Sequence, residues 1–99
     1  IMTYTDELYG LKGKVAVITG AGGHLCSSMA QGLANAGAKI ALLDLRLKKA
    51  QSVENEIVNS GGTAISLAID VADKEQHIDS LQTILDKLGS ADILINGAG

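Results

Sequence analysis

The chain has 99 residues, 46% of them hydrophobic and 19% charged, with a net charge of −3 and acids interspersed with bases. That is enough for one small domain, and the balance excludes a disordered acidic tail. It also leaves no basic stripe for a nucleic-acid backbone and no apolar run long enough to span a membrane.

Residues 1–13 read as a polar lead-in that ends at Gly13. Ile1–Glu7 has neither the basic nor the long apolar region of a signal peptide. Val15 to Thr19 is a continuous apolar run with the makeup of a buried strand, and it breaks at once into Gly20, Gly22 and Gly23. A helix follows over residues 23–36, with Leu25, Met29 and Leu33 at four-residue spacing and Gly37 at its end. Lys39 to Leu43 is the second strand. The second helix runs from about Arg46 to Asn59, with Leu47, Ala50, Val53 and Ile57 on one face, and Ser60, Gly61 and Gly62 stop it.

Thr63 to Ile69 is the third strand. Asp73 caps the third helix, and Gln76 three residues on completes a capping-box pattern. Ile78, Leu81, Leu85 and Leu88 form the expected buried stripe of that helix, and Gly89 ends it. Asp92 to Ile95 is the fourth strand.

Strands alternating with helices predict an α/β fold, a parallel sheet with helices on both faces. The strands are short continuous apolar runs, as burial from both sides requires. Right-handed crossovers favour the strand order 3-2-1-4, the first part of a Rossmann-type doubly wound sheet. The crevice at its switch point lies between strands 1 and 4. Because the chain stops at Gly99, inside a glycine-rich turn just after a strand, residues 1–99 are expected to be the N-terminal part of a longer dinucleotide-binding domain.

The turn after strand 1 carries the first chemical signal. Gly20 makes the tight turn, and Gly22 and Gly23 let backbone N–H groups approach a pyrophosphate with no Cβ in the way. The helix start adds unpaired donors and the positive end of its dipole. His24 either contacts phosphate or is a plain turn residue, and Leu25 takes the place of the last glycine of G-x-G-x-x-G. Cys26 reads as a small packed residue rather than a reactive thiol. As the single cysteine it excludes an internal disulfide, and it accords with a reducing, cytoplasmic setting. No His/Asp/Glu set has metal-ligand spacing.

Asp44 ends strand 2, at the start of Asp44-Leu45-Arg46. A carboxylate there accepts hydrogen bonds from both adenosine ribose hydroxyls of NAD(H) and repels a 2′-phosphate. It also suits the cap of helix 2. Arg46 is able to hold a 2′-phosphate, which keeps NADP(H) open as a second cofactor. Asp70 and Val71 follow strand 3, where a carboxylate and a backbone amide meet an adenine ring, although Asp70 is as well explained as a turn former. Asn96, Gly97 and Ala98 leave strand 4 at the switch point, where glycine again allows close backbone approach.

Taken together, Leu11 to Gly20, the turn Thr19-Gly20-Ala21-Gly22-Gly23, Asp44, Asp70-Val71 and Asn96-Gly97-Ala98-Gly99 resemble the N-terminal half of a short-chain dehydrogenase/reductase. The resemblance implies that the glycine turn holds the cofactor phosphates, the acid after strand 2 the ribose, the Asp-Val pair the adenine, and that the strand-4 turn supports the sheet beside the cofactor. Two departures stand out. His24 and Cys26 replace the last two glycines of the family's turn, and Gly97 replaces the second Asn of its Asn-Asn-Ala-Gly motif. The combination looks similar to a branch acting on sugar acids, such as mannonate/fructuronate or gluconate oxidoreductases.

What the resemblance implies for the whole protein is an NAD(H)-dependent oxidoreductase that interconverts a secondary alcohol and a ketone, a small-molecule substrate, and a homo-oligomer. The family's catalytic Ser, Tyr and Lys come after the fourth strand. No Tyr-x-x-x-Lys occurs within these residues, where Tyr4 and Tyr9 precede the fold, so no catalytic residue is assigned among them. A nucleotide-binding module without chemistry is the alternative reading. A methyltransferase of similar topology also has an acid after strand 2, but lacks support from Thr19-Gly20 and the strand-4 motif.

Overall fold

All five residues of the first apolar run are buried, and they form β1 (Val15–Thr19) at the centre of the sheet. The computed structural model describes residues 12–21, 23–70 and 73–97, and of His24 and His77 the backbone only. In chain order β1 is followed by α1 (His24–Asn35), β2 (Lys39–Asp44), α2 (Leu47–Asn59), β3 (Thr63–Ala68), α3 (Lys74–Lys87) and β4 (Ile93–Asn96). The strands pair in parallel in the order β3-β2-β1-β4, as the alternating pattern predicts. The register sets Thr19 beside Leu43 on one side and Asn96 on the other, and Asp44 beside Ala68. The turns that leave the strands therefore open along one edge, and β1 and β4 flank the point where the winding reverses.

Side chains of adjacent strand residues point to opposite faces, which divides the core in two. On one face Ala16, Ile18, Ile40 and Leu42 meet Ala30 and Ala34 of α1 and Ala50, Val53 and Ile57 of α2. On the other, Val15, Val17, Ala41 and Leu43 meet Ile84 of α3 and Leu88, its C-cap. Helices thus cover both faces, as two-sided burial of the strands requires.

The buried side of α1 is not its Leu25, Met29 and Leu33 repeat. Leu25 is 72% exposed and Met29 is also exposed, while Cys26, Ala30 and Ala34 face the core with Leu33 partly buried beside them. Small side chains let this helix lie close to the sheet, so the ridge one residue further along wins over the larger leucine and methionine.

In α3 the expected stripe is mostly wrong. Leu88 is buried, but Ile78 is 66% exposed and Leu81 and Leu85 are also exposed, and the sheet contact runs through Ser80, Ile84 and Leu88 instead. Among the described residues α3 is the one helix packed on this face, so apolar residues off its contact line meet no second layer. Leu94, opposite Val17 on the same face, is 70% exposed for the same reason.

Strand ends shift by one residue. Asp92 is outside β4 and acts as a clasp: its Oδ2 accepts from the Val15 amide at 3.0 Å and its own amide donates to the Val15 carbonyl at 2.9 Å. The Asp73 carboxylate caps α3 by accepting from the amides of Glu75 and Gln76, as expected. The box closes differently, since Gln76 Oε1 accepts from the Asp70 amide at 2.7 Å.

Candidate functional site

The site is assembled on the strand edge where β1, β2 and β4 end. Gly20 has φ +65°, a left-handed backbone that glycine adopts without strain. This turns the chain sharply out of β1, and the Gly23 amide donates back to the Gly20 carbonyl at 3.0 Å. The Ala21 amide donates to the Leu43 carbonyl at 3.1 Å, which ties the turn to the end of β2. Gly23 is then the N-cap of α1, in extended conformation and with no side chain to cap the helix. The first turn of α1 contains no acid. By contrast, α3 carries both the Asp73 cap and Glu75 in its first turn. The start of α1 thus keeps its positive end facing the crevice, which favours an anion. Gly22 lies outside the described residues, as does the side chain of His24, whose backbone opens α1. Leu25 is exposed beside them.

Asp44 is the last residue of β2 and is half-buried. Its Oδ1 accepts from the Arg46 amide at 2.9 Å, so the carboxylate is held at the strand tip by the chain that follows it. The cap reading is not met: Arg46, not Asp44, is the N-cap of α2, and no side chain bonds the helix there. Leu45 and Arg46 are both exposed. Beyond them the Ile69 amide donates to the Asp44 carbonyl at 3.1 Å, which brings Asp70 to the same edge. Asp70 is exposed, and its amide and carbonyl both serve the turn into α3. Val71 lies outside the described residues.

At the switch point Thr19 is buried and its hydroxyl donates to Asn96 Oδ1 at 2.9 Å. The Gly97 amide donates to the Thr19 carbonyl at 3.0 Å. Ala98 lies outside the described residues. Gly97 is glycine for want of space: a Cβ there would stand 2.1 Å from Cys26 Sγ and 2.9 Å from the Thr19 carbonyl oxygen. Cys26 is 8% exposed, in keeping with its reading as a packed residue. Two of the residues that depart from the family pattern, Cys26 and Gly97, are therefore in contact. Each is visible in the sequence, but their proximity needs the fold.

The structure thus gathers Gly20, Gly23, Asp44 and Gly97 along one edge, with Asp70 further out beyond β2. Such an edge combines anion-favouring amides with a carboxylate one strand away, which suits a ligand with a phosphate and a diol. Among the described residues no group of three or more His, Cys, Asp or Glu comes together as a metal site requires, and no helix is long and apolar enough to cross a membrane.

A model of the family described as short chain dehydrogenase matches residues 14–99. An uncharacterized oxidoreductase, UxuB, of Bacillus subtilis is 48% identical over 89 residues, covering 90% of this chain and 32% of its own. A crystal structure with bound NAD, assigned provisionally as a D-mannonate oxidoreductase of Haemophilus influenzae, superposes with a TM-score of 0.89 at 43% identity. That match covers 94% of this chain and 34% of the other. A metagenomic short-chain oxidoreductase in complex with NADP gives a TM-score of 0.84 at 36% identity, over 90% of this chain and 40% of the other. The chain spans about a third of the length of the relatives it matches.

Proposed function

The chain belongs to the short chain dehydrogenase family, and on that premise we propose that it holds the adenosine and pyrophosphate half of NAD(H) in an oxidoreductase acting on a secondary alcohol or ketone. The observation that carries this reading is the pairing of an acid-free helix start after Gly20 with the Asp44 carboxylate at the next strand tip. In it, Gly20, Gly22, Gly23, His24 and Leu25 line the pyrophosphate, and the amides of the first turn of α1 supply donors that need no positive side chain. Asp44 accepts from the adenosine ribose hydroxyls. Leu45, Asp70 and Val71 border the adenine, and Asn96, Gly97 and Ala98 border the far side of the crevice.

The bound nicotinamide supplies hydride chemistry, and the protein contributes binding, orientation and the exclusion of competing reactions. No catalytic residue is assigned within this chain. A proton donor is proposed in the rest of the longer protein, where the family carries its Ser, Tyr and Lys. Sugar acids are the proposed substrates. The sequence similarity to the Haemophilus influenzae protein assigned as a D-mannonate oxidoreductase supports that choice. The full protein is proposed to be a cytoplasmic homo-oligomer.

Cofactor preference follows from charge. Asp44 disfavours a 2′-phosphate, while exposed Arg46 two residues on offers it a counter-charge, so NADP(H) is the second cofactor. Fluorescence titration of the full-length protein with NADH and NADPH tests the reading. Tighter NADH binding is expected. Equal or tighter NADPH binding would remove Asp44 as the selector, and binding of neither would remove the function.

A further inference from the structure

Gly97 has no conformational reason to be glycine, since its φ is not among the positive values found at Gly13, Gly20, Gly37, Gly61 and Gly89. Its reason is space, set by the Cys26 thiol on one side and the Thr19 carbonyl on the other. The thiol of Cys26, at the start of α1, fills the place where a Cβ of residue 97 would stand, 2.1 Å away. The Cys26 Cβ would be 3.6 Å from that atom, an ordinary contact, so the conflict with α1 lies in the sulfur alone. The same Gly97 is bonded through its amide to the Thr19 carbonyl, and its neighbour Asn96 accepts from the Thr19 hydroxyl. The sulfur is thus wedged between the helix that begins at the glycine turn and the backbone that leaves β4.

We propose that Cys26 is a positioning residue for the cofactor: its thiol, seated on Gly97, sets the separation between the start of α1 and the turn after β4, and so the width of the crevice between them. The proposal rests on the cofactor-binding reading above. Protein interiors are close-packed and do not absorb an added or deleted atom without movement. Here the parts that meet at the sulfur are the backbone at the start of α1 and at Gly97, on the two sides of the proposed site. Cys26 needs no reactive chemistry for this role; it needs the volume of its sulfur.

The test is a double-mutant cycle in the full-length protein with Cys26→Ala, Gly97→Ala and the pair together. NADH affinity is titrated well below each variant's melting temperature, and melting is followed by circular dichroism. Gly97→Ala is expected to weaken NADH by about tenfold or more, and Cys26→Ala by a few fold, within the usual coupling of residues in contact. Adding Cys26→Ala to Gly97→Ala is expected to recover part of the affinity lost, so that the pair binds NADH better than Gly97→Ala alone. The remaining 2.9 Å approach to the Thr19 carbonyl keeps the pair short of wild type. Conservative Cys26→Ser, which keeps an atom at the γ position, is expected to bind NADH better than Cys26→Ala.

Additive affinity losses would overturn the proposal, as would coupling seen in melting but not in NADH affinity, which would make the contact packing only. If Gly97→Ala does not fold, Cys26→Ala carries the test, and wild-type NADH affinity in that variant overturns the positioning role. A wild-type protein that binds neither NADH nor NADPH would instead sink the function, and this inference with it.

Discussion

The hydroxyl of Thr19 donates to Oδ1 of Asn96 at 2.9 Å, joining the last residues of β1 and β4 where the sheet changes its winding direction. Thr19 is buried while Asn96 is exposed, so the bond is part-buried. Thr19→Val keeps the shape and removes the donor. It is expected to lower stability by about 0.5–1.5 kcal/mol, the net worth of one hydrogen bond whose acceptor water can reach. Urea denaturation of the full-length protein measures the change. A midpoint within error of wild type would show that the bond contributes nothing net.

Asp44→Ala is expected to weaken NADH binding by about 1.5–3 kcal/mol per ribose hydrogen bond lost, the range for bonds to a charged group. NADPH is expected to lose much less, because Asp44 opposes its 2′-phosphate. The ratio of the two affinities, taken from parallel titrations of both proteins, is the quantity to follow. A ratio that does not move would take Asp44 away from the ribose. The variant also loses the bond to the Arg46 amide, so its melting temperature is recorded alongside.

Asp73→Ala removes the side-chain acceptor from the amides of Glu75 and Gln76 at the start of α3. Loss of such a cap is expected to destabilise by about 1 kcal/mol. Cofactor affinity is expected to stay put, since α3 lies on the opposite face of the sheet from α1. Thermal melting and NADH titration of the same sample separate the two. A drop in affinity larger than the drop in stability would show that the cap also holds Asp70 in place at the adenine.

The strand order was legible because β1, β2 and β3 are apolar runs bounded by glycine and polar turns, and right-handed crossovers leave few ways to join them. The positions of the glycine turn and of Asp44 at the ends of β1 and β2 were legible because they follow from local chain order. The buried sides of α1 and α3 were less so. Residues 25, 29 and 33 and residues 26, 30 and 34 repeat at the same spacing, and hydrophobicity favours the first set while close approach to the sheet selects the second. In α3 the apolar repeat is real, but its burial depends on what packs over Ile78, Leu81 and Leu85. The Cys26–Gly97 contact joins residues far apart in the chain, and no local pattern announces it.

The exposed apolar face leads to the last prediction, which concerns residues 1–99 expressed alone. Leu94 stands 70% exposed in β4, and Ile78, Leu81 and Leu85 are exposed on α3 on the same side of the sheet. In the described sheet β4 is an edge strand, paired only with β1, so its outer backbone groups form a template for another strand. Contiguous apolar surface and an open edge both favour association, and together they are expected to make the isolated polypeptide self-associate or melt at low temperature with poor cooperativity. Sedimentation velocity and thermal melting measure this, and Leu81→Lys, on α3 rather than on the edge strand, separates the two causes. A charge in the apolar face is expected to shift the distribution toward monomer. If Leu81→Lys leaves association unchanged, the strand edge drives it. A cooperative, stable monomer of the unmodified 99 residues would show that the exposed leucines need no cover. No NAD-dependent alcohol oxidation is expected from this polypeptide, and measurable turnover would place catalytic groups inside it.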